Sequence, residues 1–158
     1  MRPLLSPDDQ QFWYETLRAL GLTANGGADF GEVVTTTALI SAGDYGRWYE
    51  QSAATGERVE AEARGQLAAG HQVSGRDGLL RAATYWRSAE FFTRDGDPGP
   101  RGRAAYQASV GCSADAAALM SPAVTPVTIP FEGKALPGYL YQPPAMTIPS
   151  LAYPNVAN

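Results

Sequence analysis

The sequence predicts a mainly α-helical protein with a β-hairpin close to its C-terminal end. Over residues 44–92, apolar side chains recur at three- and four-residue steps, which is the spacing of a helix with one buried face. From residue 124 onward, apolar residues instead alternate with threonine and proline around a turn at residues 132–134. We therefore expect a helical domain over residues 1–121 and a hairpin over residues 122–143.

Two helices over residues 44–92 form the predicted centre of the helical domain. The first begins at Asp44, a favourable N-cap residue, and extends to about Ala69. A tight corner at residues 70–73 leads to the second helix, for which Ser74 is the predicted N-cap, with an acidic residue three positions later. The predicted buried face of the first helix consists of Tyr45, Trp48, Ser52, Val59, Ala63 and Leu67.

Gly56 and Gly65 lie inside the first predicted helix, where each glycine costs roughly 1 kcal/mol relative to alanine. Two explanations remain open. Either a neighbouring backbone approaches closely at these positions, or the helix is simply weaker there.

The second helix is apolar around most of its circumference. Its narrow polar face consists of Asp77, Arg81, Thr84 and Ser88. Because a helix of this kind is usually buried among several neighbours, we expect it at the centre of the domain. Arg87 and Glu90 lie three residues apart on otherwise apolar faces, and we expect an ion pair either between them within the helix or from them to a neighbouring helix.

Two helices are predicted before this central pair. Ser6 is the expected N-cap of the first, followed by proline and two acids, and Gly21 is its expected end. Asp29 opens the second, which extends to about Ser41. A β-branched run at residues 33–37 makes a strand the alternative for this segment.

One helix is predicted after the central pair, between residues 104 and 120. Pro122 closes it, after a loop rich in glycine and proline at residues 94–102. Its expected buried stripe consists of Tyr106, Val110, Ser113, Ala117 and Met120.

The hairpin is expected to belong to a larger sheet. Pro130 and Pro137 confine its two strands to a sheet edge, because proline has no N–H to donate to a ladder. A hairpin by itself is only marginally stable in water, so its apolar side is expected to be exposed, mobile or used for self-association, which would make a homo-oligomer. Residues 144–158 are rich in proline and are expected to be poorly ordered.

Composition excludes several classes of partner. The chain has 158 residues and a formal net charge of -4, without a run of lysine or arginine, which argues against nucleic-acid binding. Its first residues lack the apolar core of a signal peptide, and no stretch is long and apolar enough to cross a bilayer. A cytoplasmic location without a membrane partner is the expectation.

The residues that usually carry chemistry are scarce. Cys112 is the only cysteine and His71 the only histidine. A zinc site would therefore need acidic ligands for most of its shell, and a Ser-His-Asp triad would have to use His71. His71 follows a glycine at a helix end, where an imidazole is expected to bond free carbonyls or to interact favourably with the helix dipole. Cys112 is expected to be a packing residue. We predict no catalytic, metal or cofactor site in this chain.

An ordered set of short motifs resembles the N-terminal part of one family of α/β-hydrolases. This family is related to dihydroxypseudooxynicotine hydrolase and to the fungal heptaketide-shortening hydrolases of pigment pathways. The resemblance covers about residues 26–143. The motifs are GGADFGE at residues 26–32, Gly43-Asp44 with Trp48, Gly70-His71 with Ser74, Arg81-Ala82-Ala83 with Tyr85, AEFF at 89–92, IPFEG at 129–133 and LPGY at 136–139.

The resemblance implies a helical cap over an active site and a hairpin that begins the catalytic sheet. It also implies a Ser-Asp-His triad with the serine in a G-x-S-x-G elbow, and a small-molecule substrate. The nearest string here, at residues 111–115, lacks the closing glycine. The chain is thus expected to be a truncated hydrolase, inactive alone, whose parent activity cleaves C–C or ester bonds in ketone- or polyketide-like substrates. The alternative is a free-standing helical binding module descended from such a cap.

Three residues of the second central helix are candidates for substrate binding beneath the implied cap: Arg81, Tyr85 and Trp86. Tyrosine and tryptophan combine an apolar ring with one polar group, which suits an aromatic ligand. The alternative is that all three side chains are simply part of the core.

Overall fold

The structure, a computed structural model, describes residues 8–93, 98–122 and 124–142. Within these residues it contains α1 (Gln10–Gly21), a short 3-10 helix (Leu22–Asn25), α2 (Phe30–Thr37), α3 (Tyr45–Ala68), α4 (Gln72–Phe91), α5 (Gly99–Ala118), β1 (Thr125–Phe131) and β2 (Lys134–Leu140). The mainly α fold class with a β-hairpin is confirmed. The chain divides into a helical unit, residues 1–119, and a second unit, residues 120–158.

The first helix begins later than the sequence suggests. Asp9 is its N-cap, and the carboxylate accepts hydrogen bonds from the backbone N–H groups of Gln11 and Phe12. The predicted start at Ser6 is wrong, because the residue before Asp9 is already outside the helix; Ser6 itself lies outside the described residues. The second carboxylate oxygen of Asp9 accepts from the N–H of Gly43 at 2.9 Å, which ties α1 to the segment before α3.

The segment after Asp29 is a helix, and the strand alternative is wrong. The Asp29 side chain accepts from the N–H of Glu32 at 3.0 Å, as an N-cap does. The threonines at 35–37 each donate a hydrogen bond to a carbonyl three or four residues earlier. These bonds satisfy the hydroxyl groups within the helix, so the β-branched run does not prevent it. The helix ends at Thr37, a few residues before the predicted end.

The corner between α3 and α4 is a Schellman motif. Gly70 adopts a left-handed conformation with φ of 85°, its N–H donates to Leu67, and the N–H of His71 donates to Gln66. The His71 imidazole bonds the side-chain oxygen of Gln66 at 2.8 Å and not a free helix carbonyl, so the first of the two predicted roles is wrong. Its interaction with the helix dipole stays a prediction. The predicted N-cap at Ser74 is also wrong, because α4 begins at Gln72 with His71 in the N-cap position.

Helices α3 and α4 pack closely through small residues. A Cβ atom at Gly78 would lie 2.7 Å from Cβ of Ala63, so no larger residue fits without a shift. Gly56 contacts the Trp86 ring, where an added Cβ would lie 3.1 Å away, whereas Gly65 has nothing within 4 Å. Among the described residues, no neighbouring backbone approaches either glycine: the close neighbour of Gly56 is a side-chain ring, and Gly65 faces open space. The first explanation is therefore wrong, and a weaker helix at these positions stays a prediction.

Helix α5 buries a face of small residues, and the predicted stripe is wrong for its first two members. Tyr106 is 53% exposed and Val110 is 45% exposed. The helix also starts at Gly99, before the predicted residue 104. Its buried residues are Gly102, Ala105, Ser109, Cys112, Ala116 and Ala117. The Ser109 hydroxyl donates to the carbonyl of Ala83 at 2.8 Å, so α5 packs against α4 at short range.

Two clusters form the core of the helical unit. The larger joins α2, α3, α4 and α5 around Val59, Leu79 and Tyr85. The smaller is aromatic: Phe12 contacts Trp48 with ring centroids 4.7 Å apart and Phe92 with centroids 5.3 Å apart. No helix of the described residues is long and apolar enough to cross a membrane.

The hairpin of the second unit pairs β1 with β2 in antiparallel register, from Thr125 opposite Leu140 to Phe131 opposite Lys134. Glu132 and Gly133 form the turn with φ of 47° and 74°, which is the backbone of a type I′ turn. The predicted hairpin is confirmed. The predicted disorder of residues 144–158 falls outside the described residues.

The close packing of α3 and α4 gives a prediction with a matched control. Gly78→Ala places a methyl group against Ala63 and should lower the free energy of unfolding by about 1–3 kcal/mol. Gly65→Ala places its methyl group in open space and should raise the free energy of unfolding by about 0.5–1 kcal/mol, because alanine has a higher helix propensity than glycine. Urea unfolding of both variants measures these changes. Equal effects of the two substitutions would contradict the packing described here.

Candidate functional site

Two hydrogen-bond networks join α4 to its neighbouring helices. The first, which we call the Tyr85 network, joins α4 to the start of α2. The Tyr85 hydroxyl donates to Glu32 at 2.7 Å and accepts from the backbone N–H of Asp29 at 2.9 Å. The Arg81 guanidinium bonds the same Glu32 oxygen at 3.1 Å. Donor and acceptor capacity of the Tyr85 hydroxyl are therefore both used within the protein.

The environment of Tyr85 keeps its hydroxyl protonated. The residue is only 3% exposed. Burial raises the pKa of Tyr85 well above its ordinary value of 10, and the hydrogen-bonded Glu32 carboxylate raises it further. Tyr85 can thus act as a neutral hydrogen-bond donor but not as a base at neutral pH.

The second network, which we call the Glu60 network, joins α3, α4 and α5. The indole N–H of Trp86 donates to one Glu60 oxygen at 2.8 Å, and Arg64 bonds the other oxygen at 2.8 Å. Arg64 also reaches Asp115 on α5 at 3.0 Å. The thiol of Cys112 completes the surroundings of the Glu60 carboxylate.

Charge and burial act in opposite directions on this network. Burial by itself would raise the pKa of Glu60, but hydrogen bonds from Arg64, Trp86 and Cys112 hold it below its ordinary 4.5. Burial raises the pKa of Cys112 to about 12, and the nearby Glu60 carboxylate adds to the rise. Cys112 is therefore a thiol at neutral pH, without the thiolate character that a nucleophile needs. Its predicted role as a packing residue fits its complete burial.

A polar groove of about 570 Å³ lies between α3 and α4. Its charged residues are already paired: Glu62 with Arg58 at 3.0 Å, and Arg81 with Glu32 at 3.1 Å. An anionic ligand would have to compete with Glu32 for Arg81. The groove is lined by Val59, Glu62, Ala63, Gln66, Ser74, Asp77, Gly78 and Arg81.

The described residues show no arrangement for nucleophilic catalysis. His71, the only imidazole, is exposed at the corner between α3 and α4 and contacts Gln66. Ser113 lies inside α5, so it is not on the strand-to-helix turn of a nucleophile elbow. Among these residues, no three His, Cys, Asp or Glu side chains are grouped to hold a metal ion.

The three predicted binding residues occupy different surroundings. Arg81 lines the α3–α4 groove, Tyr85 is buried in its network, and Trp86 packs on Gly56 while bonding Glu60. All three connect helices, which is a sufficient structural reason for their presence. Their role in substrate binding stays a prediction.

Sequence reasoning missed the acidic partners of these residues. Glu32 is recognisable as the fourth residue of a capping box that starts at Asp29. Glu60 is recognisable as the partner of Arg64 at i,i+4, a pair that the helical pattern places on a solvated face. Nothing in the sequence indicates that each carboxylate also reaches a residue of α4. The predicted pair of Arg87 and Glu90 is confirmed at 2.7 Å.

The chain is similar in sequence to several fungal hydrolases. Alpha/beta hydrolase psoB of Aspergillus fumigatus is 34% identical over 151 residues, which are 93% of this chain and 34% of that protein. The 20-hydroxy-prefusarin hydrolase FUS2 of Gibberella moniliformis is 35% identical over 133 residues, 84% of this chain and 32% of that protein. Hydrolase ORFZ of Pyricularia oryzae is 36% identical over 139 residues, 85% of this chain and 33% of that protein.

These similarities establish that the chain is related to the α/β-hydrolases, as its motifs predict. The matches cover 84–93% of this chain. The chain spans about a third of the length of the curated relatives it matches. No protein-family model matches the chain.

The Tyr85 network gives a prediction on stability. Tyr85→Phe removes one of the two donors to Glu32 and leaves the Asp29 N–H without its acceptor, so it should lower the free energy of unfolding by about 1–3 kcal/mol. Because the folded pKa of Tyr85 is raised, this difference from wild type should be full below about pH 10 and shrink as pH rises further. The exposed Tyr106→Phe is the control and should change stability by less than about 0.5 kcal/mol. A Tyr85→Phe effect as small as that control would refute the network's contribution.

The Glu60 network gives a prediction with the opposite pH dependence. Glu60→Gln removes the charge that Arg64 bonds and should lower the free energy of unfolding by about 1 kcal/mol or more at neutral pH. Because the folded pKa of Glu60 is lowered, the difference from wild type should be full above 4.5 and be lost as pH falls below it.

Thermal unfolding between pH 3 and 7 measures the Glu60→Gln difference. Glu62→Gln, on the exposed side of α3, is the control, since its pair with Arg58 is a surface pair worth less than about 1 kcal/mol. A Glu60→Gln effect that grows as pH falls would contradict this prediction. It would show that burial, and not the hydrogen bonds, determines the direction of the pKa shift of Glu60.

Proposed function

We propose that this chain provides the helical cap and the opening hairpin of an α/β-hydrolase. The observation that carries the proposal is the extent of the sequence match: it covers 84–93% of this chain but only about a third of each relative. The substrate would be a ketone- or polyketide-like small molecule, hydrolysed at a C–C or ester bond. The Ser-Asp-His triad would come from residues outside this chain.

The hairpin supports this proposal through the placement of its prolines. Pro126, Pro130 and Pro137 all belong to the same alternating set of antiparallel pairs. Proline cannot donate a hydrogen bond, so this must be the set whose N–H positions point away from the partner strand. These prolines therefore leave the pairing of β1 with β2 intact.

The same set determines which outer edge of the hairpin can receive another strand. On β1 only Thr128 offers an outward N–H, because Pro126 and Pro130 occupy the other two outward positions. On β2 the outward N–H groups of Ala135 and Tyr139 remain. We infer that the sheet grows from β2 and that β1 is its outermost strand.

Exposed apolar side chains on the hairpin support a larger sheet as well. Ile129 is 53% exposed and Phe131 is 55% exposed, although both side chains have a high strand propensity and are strongly apolar. An apolar surface of this kind is typical of a strand pair that packs against other elements.

The alternative is a free-standing helical binding module. The observation in its favour is that residues 1–119 form a unit with its own two core clusters. The coding sequence that follows Asn158 distinguishes the two proposals. A continuing frame with a G-x-S-x-G motif and a late histidine supports the hydrolase; an intergenic region supports the module.

Two activity measurements test the proposed function. The purified chain should not hydrolyse activated aryl esters, because it lacks the nucleophile elbow. A chimera in which this chain replaces the matched 133 residues of the Gibberella relative should retain measurable hydrolysis of that enzyme's substrate. Turnover by the chain alone that His71→Ala abolishes would contradict the proposal.

The chimera also tests the direction of sheet growth. Ala135→Pro removes an outward N–H from β2 and should reduce soluble, active chimera at least several-fold, since a lost ladder bond weakens the sheet. Thr128→Pro removes the one outward N–H of β1 and serves as the matched control, with activity expected close to that of the parent chimera. The reverse order of effects would place the next strand beside β1.

A further inference from the structure

The connection between α1 and α2 contains a pair of residues with a chemistry of its own. Asn25-Gly26 is the only Asn-Gly pair in the sequence. Asn25 is the last residue of the 3-10 helix, Gly26 follows it with a left-handed φ of 72°, and all residues from 21 to 26 are exposed. The proposed function gives this pair no role.

Asparagine and the residue after it can react with each other inside one chain. The backbone nitrogen of the following residue lies within reach of the asparagine Cγ, and attack by this nitrogen closes a five-membered ring. A side chain on the following residue hinders the attack, whereas glycine has none and allows the backbone a wider range of conformations. At Gly26, no heavy atom of the described residues beyond the adjacent chain lies within 4 Å of the position that a Cβ would take. The attack on Asn25 is therefore unhindered on that side.

Only weak bonds restrain the Gly26 nitrogen. Its N–H is shared between the carbonyls of Leu22 and Thr23, and the bond to Thr23 is 3.2 Å long, at the upper end of the range for hydrogen bonds. Exposed backbone bonds at the end of an element open at a lower free-energy cost than those of the core. The folded protein therefore releases this nitrogen without unfolding its core.

We propose that Asn25 is a site of spontaneous deamidation in the folded protein, with isoaspartate as one of the products. The Gly26 nitrogen gives up its proton to solvent and forms a bond to Asn25 Cγ. The Cγ–Nδ2 bond breaks, and Nδ2 takes a proton from solvent and leaves as ammonia. Water then opens the resulting succinimide ring at either of its two carbonyl carbons, without oxidation or reduction.

The two products differ in the length of the main chain. Opening at the backbone carbonyl of residue 25 leaves the Gly26 nitrogen bonded to Cγ, which gives isoaspartate and adds one carbon to the main chain. Opening at Cγ gives aspartate and leaves the main chain unchanged. Either product ionises and adds one negative charge to the formal net charge of -4.

Isoaspartate at this position disturbs the start of α2. The N–H of Gly27 donates to the carbonyl of Leu22 at 3.0 Å, and the N–H of Asp29 donates to the Tyr85 hydroxyl at 2.9 Å. An additional main-chain carbon between residues 25 and 26 shifts both N–H groups relative to their acceptors. The modification therefore weakens the connection between α2 and the Tyr85 network.

Incubation of the full chain in native buffer at alkaline pH tests the proposal. Peptide mass spectrometry should find aspartate and isoaspartate at position 25, and the rate should rise with pH because the attacking nitrogen must lose its proton. Asn25→Gln should slow the reaction at least several-fold, since glutamine would have to close a six-membered ring. A position 25 that stays unmodified in native buffer, under conditions that modify the urea-unfolded chain, would overturn the proposal.

A second Asn-Gly pair, placed inside a helix, is the matched control. Asp77→Asn puts an asparagine before Gly78, which is buried in α4 and packs against Ala63. Position 77 of this variant should stay unmodified in native buffer and should react about as fast as position 25 in urea. Equal rates at the two positions in native buffer would show that only unfolded chains react, and would overturn deamidation of the folded protein.

Amide exchange of Asp29, measured by NMR, tests the effect on α2. Asn25→Asp adds the charge without the longer main chain and should keep the Asp29 amide as protected as in wild type. The isoaspartate form, separated from aged protein by ion-exchange chromatography, should exchange this amide at least several-fold faster. Equal protection in the two forms would overturn the proposed effect on α2.

Discussion

The helical unit depends on how closely α3 and α4 approach each other. Ala63 on one helix meets Gly78 on the other, and this contact leaves no space for a larger side chain. With the helices at this separation, the Trp86 ring lies flat on Gly56 and its indole N–H reaches Glu60. The Glu60 network thus depends on a contact between small residues, and each part fails if α4 moves outward.

Helix α4 is the helix that α2, α3 and α5 all contact. Its buried residues pack against α3, its alanines receive the small-residue face of α5, and Tyr85 fixes the beginning of α2. The two carboxylates that bond α4, Glu32 and Glu60, come from different helices and are each satisfied by more than one donor. Polar groups therefore specify the arrangement of helices whose apolar faces alone would allow sliding.

The sequence predicted the elements better than their contacts. Hydrophobic period and capping residues identified α2 and α3 at Asp29 and Asp44, because these signals are local. The buried face of α5 was wrong because alanine, serine and cysteine bury without a strong hydrophobic signal, whereas Tyr106 and Val110 look apolar but stay exposed. The candidate site residues on α4 were predicted, but their acidic partners on α2 and α3 were not. A contact between two helices has no characteristic spacing in the sequence that could reveal it.

The prolines of the hairpin also bear on how the chain avoids association with its own copies. Strand edges with a full row of N–H and C=O groups act as templates for other strands, and aggregation starts there. On β1, Pro126 and Pro130 interrupt that row, so β1 offers few N–H donors to a strand of another molecule. The row on β2 is interrupted once, at Pro137. Of the two edges, β2 is therefore the one that offers more hydrogen-bond donors to a strand of a second copy.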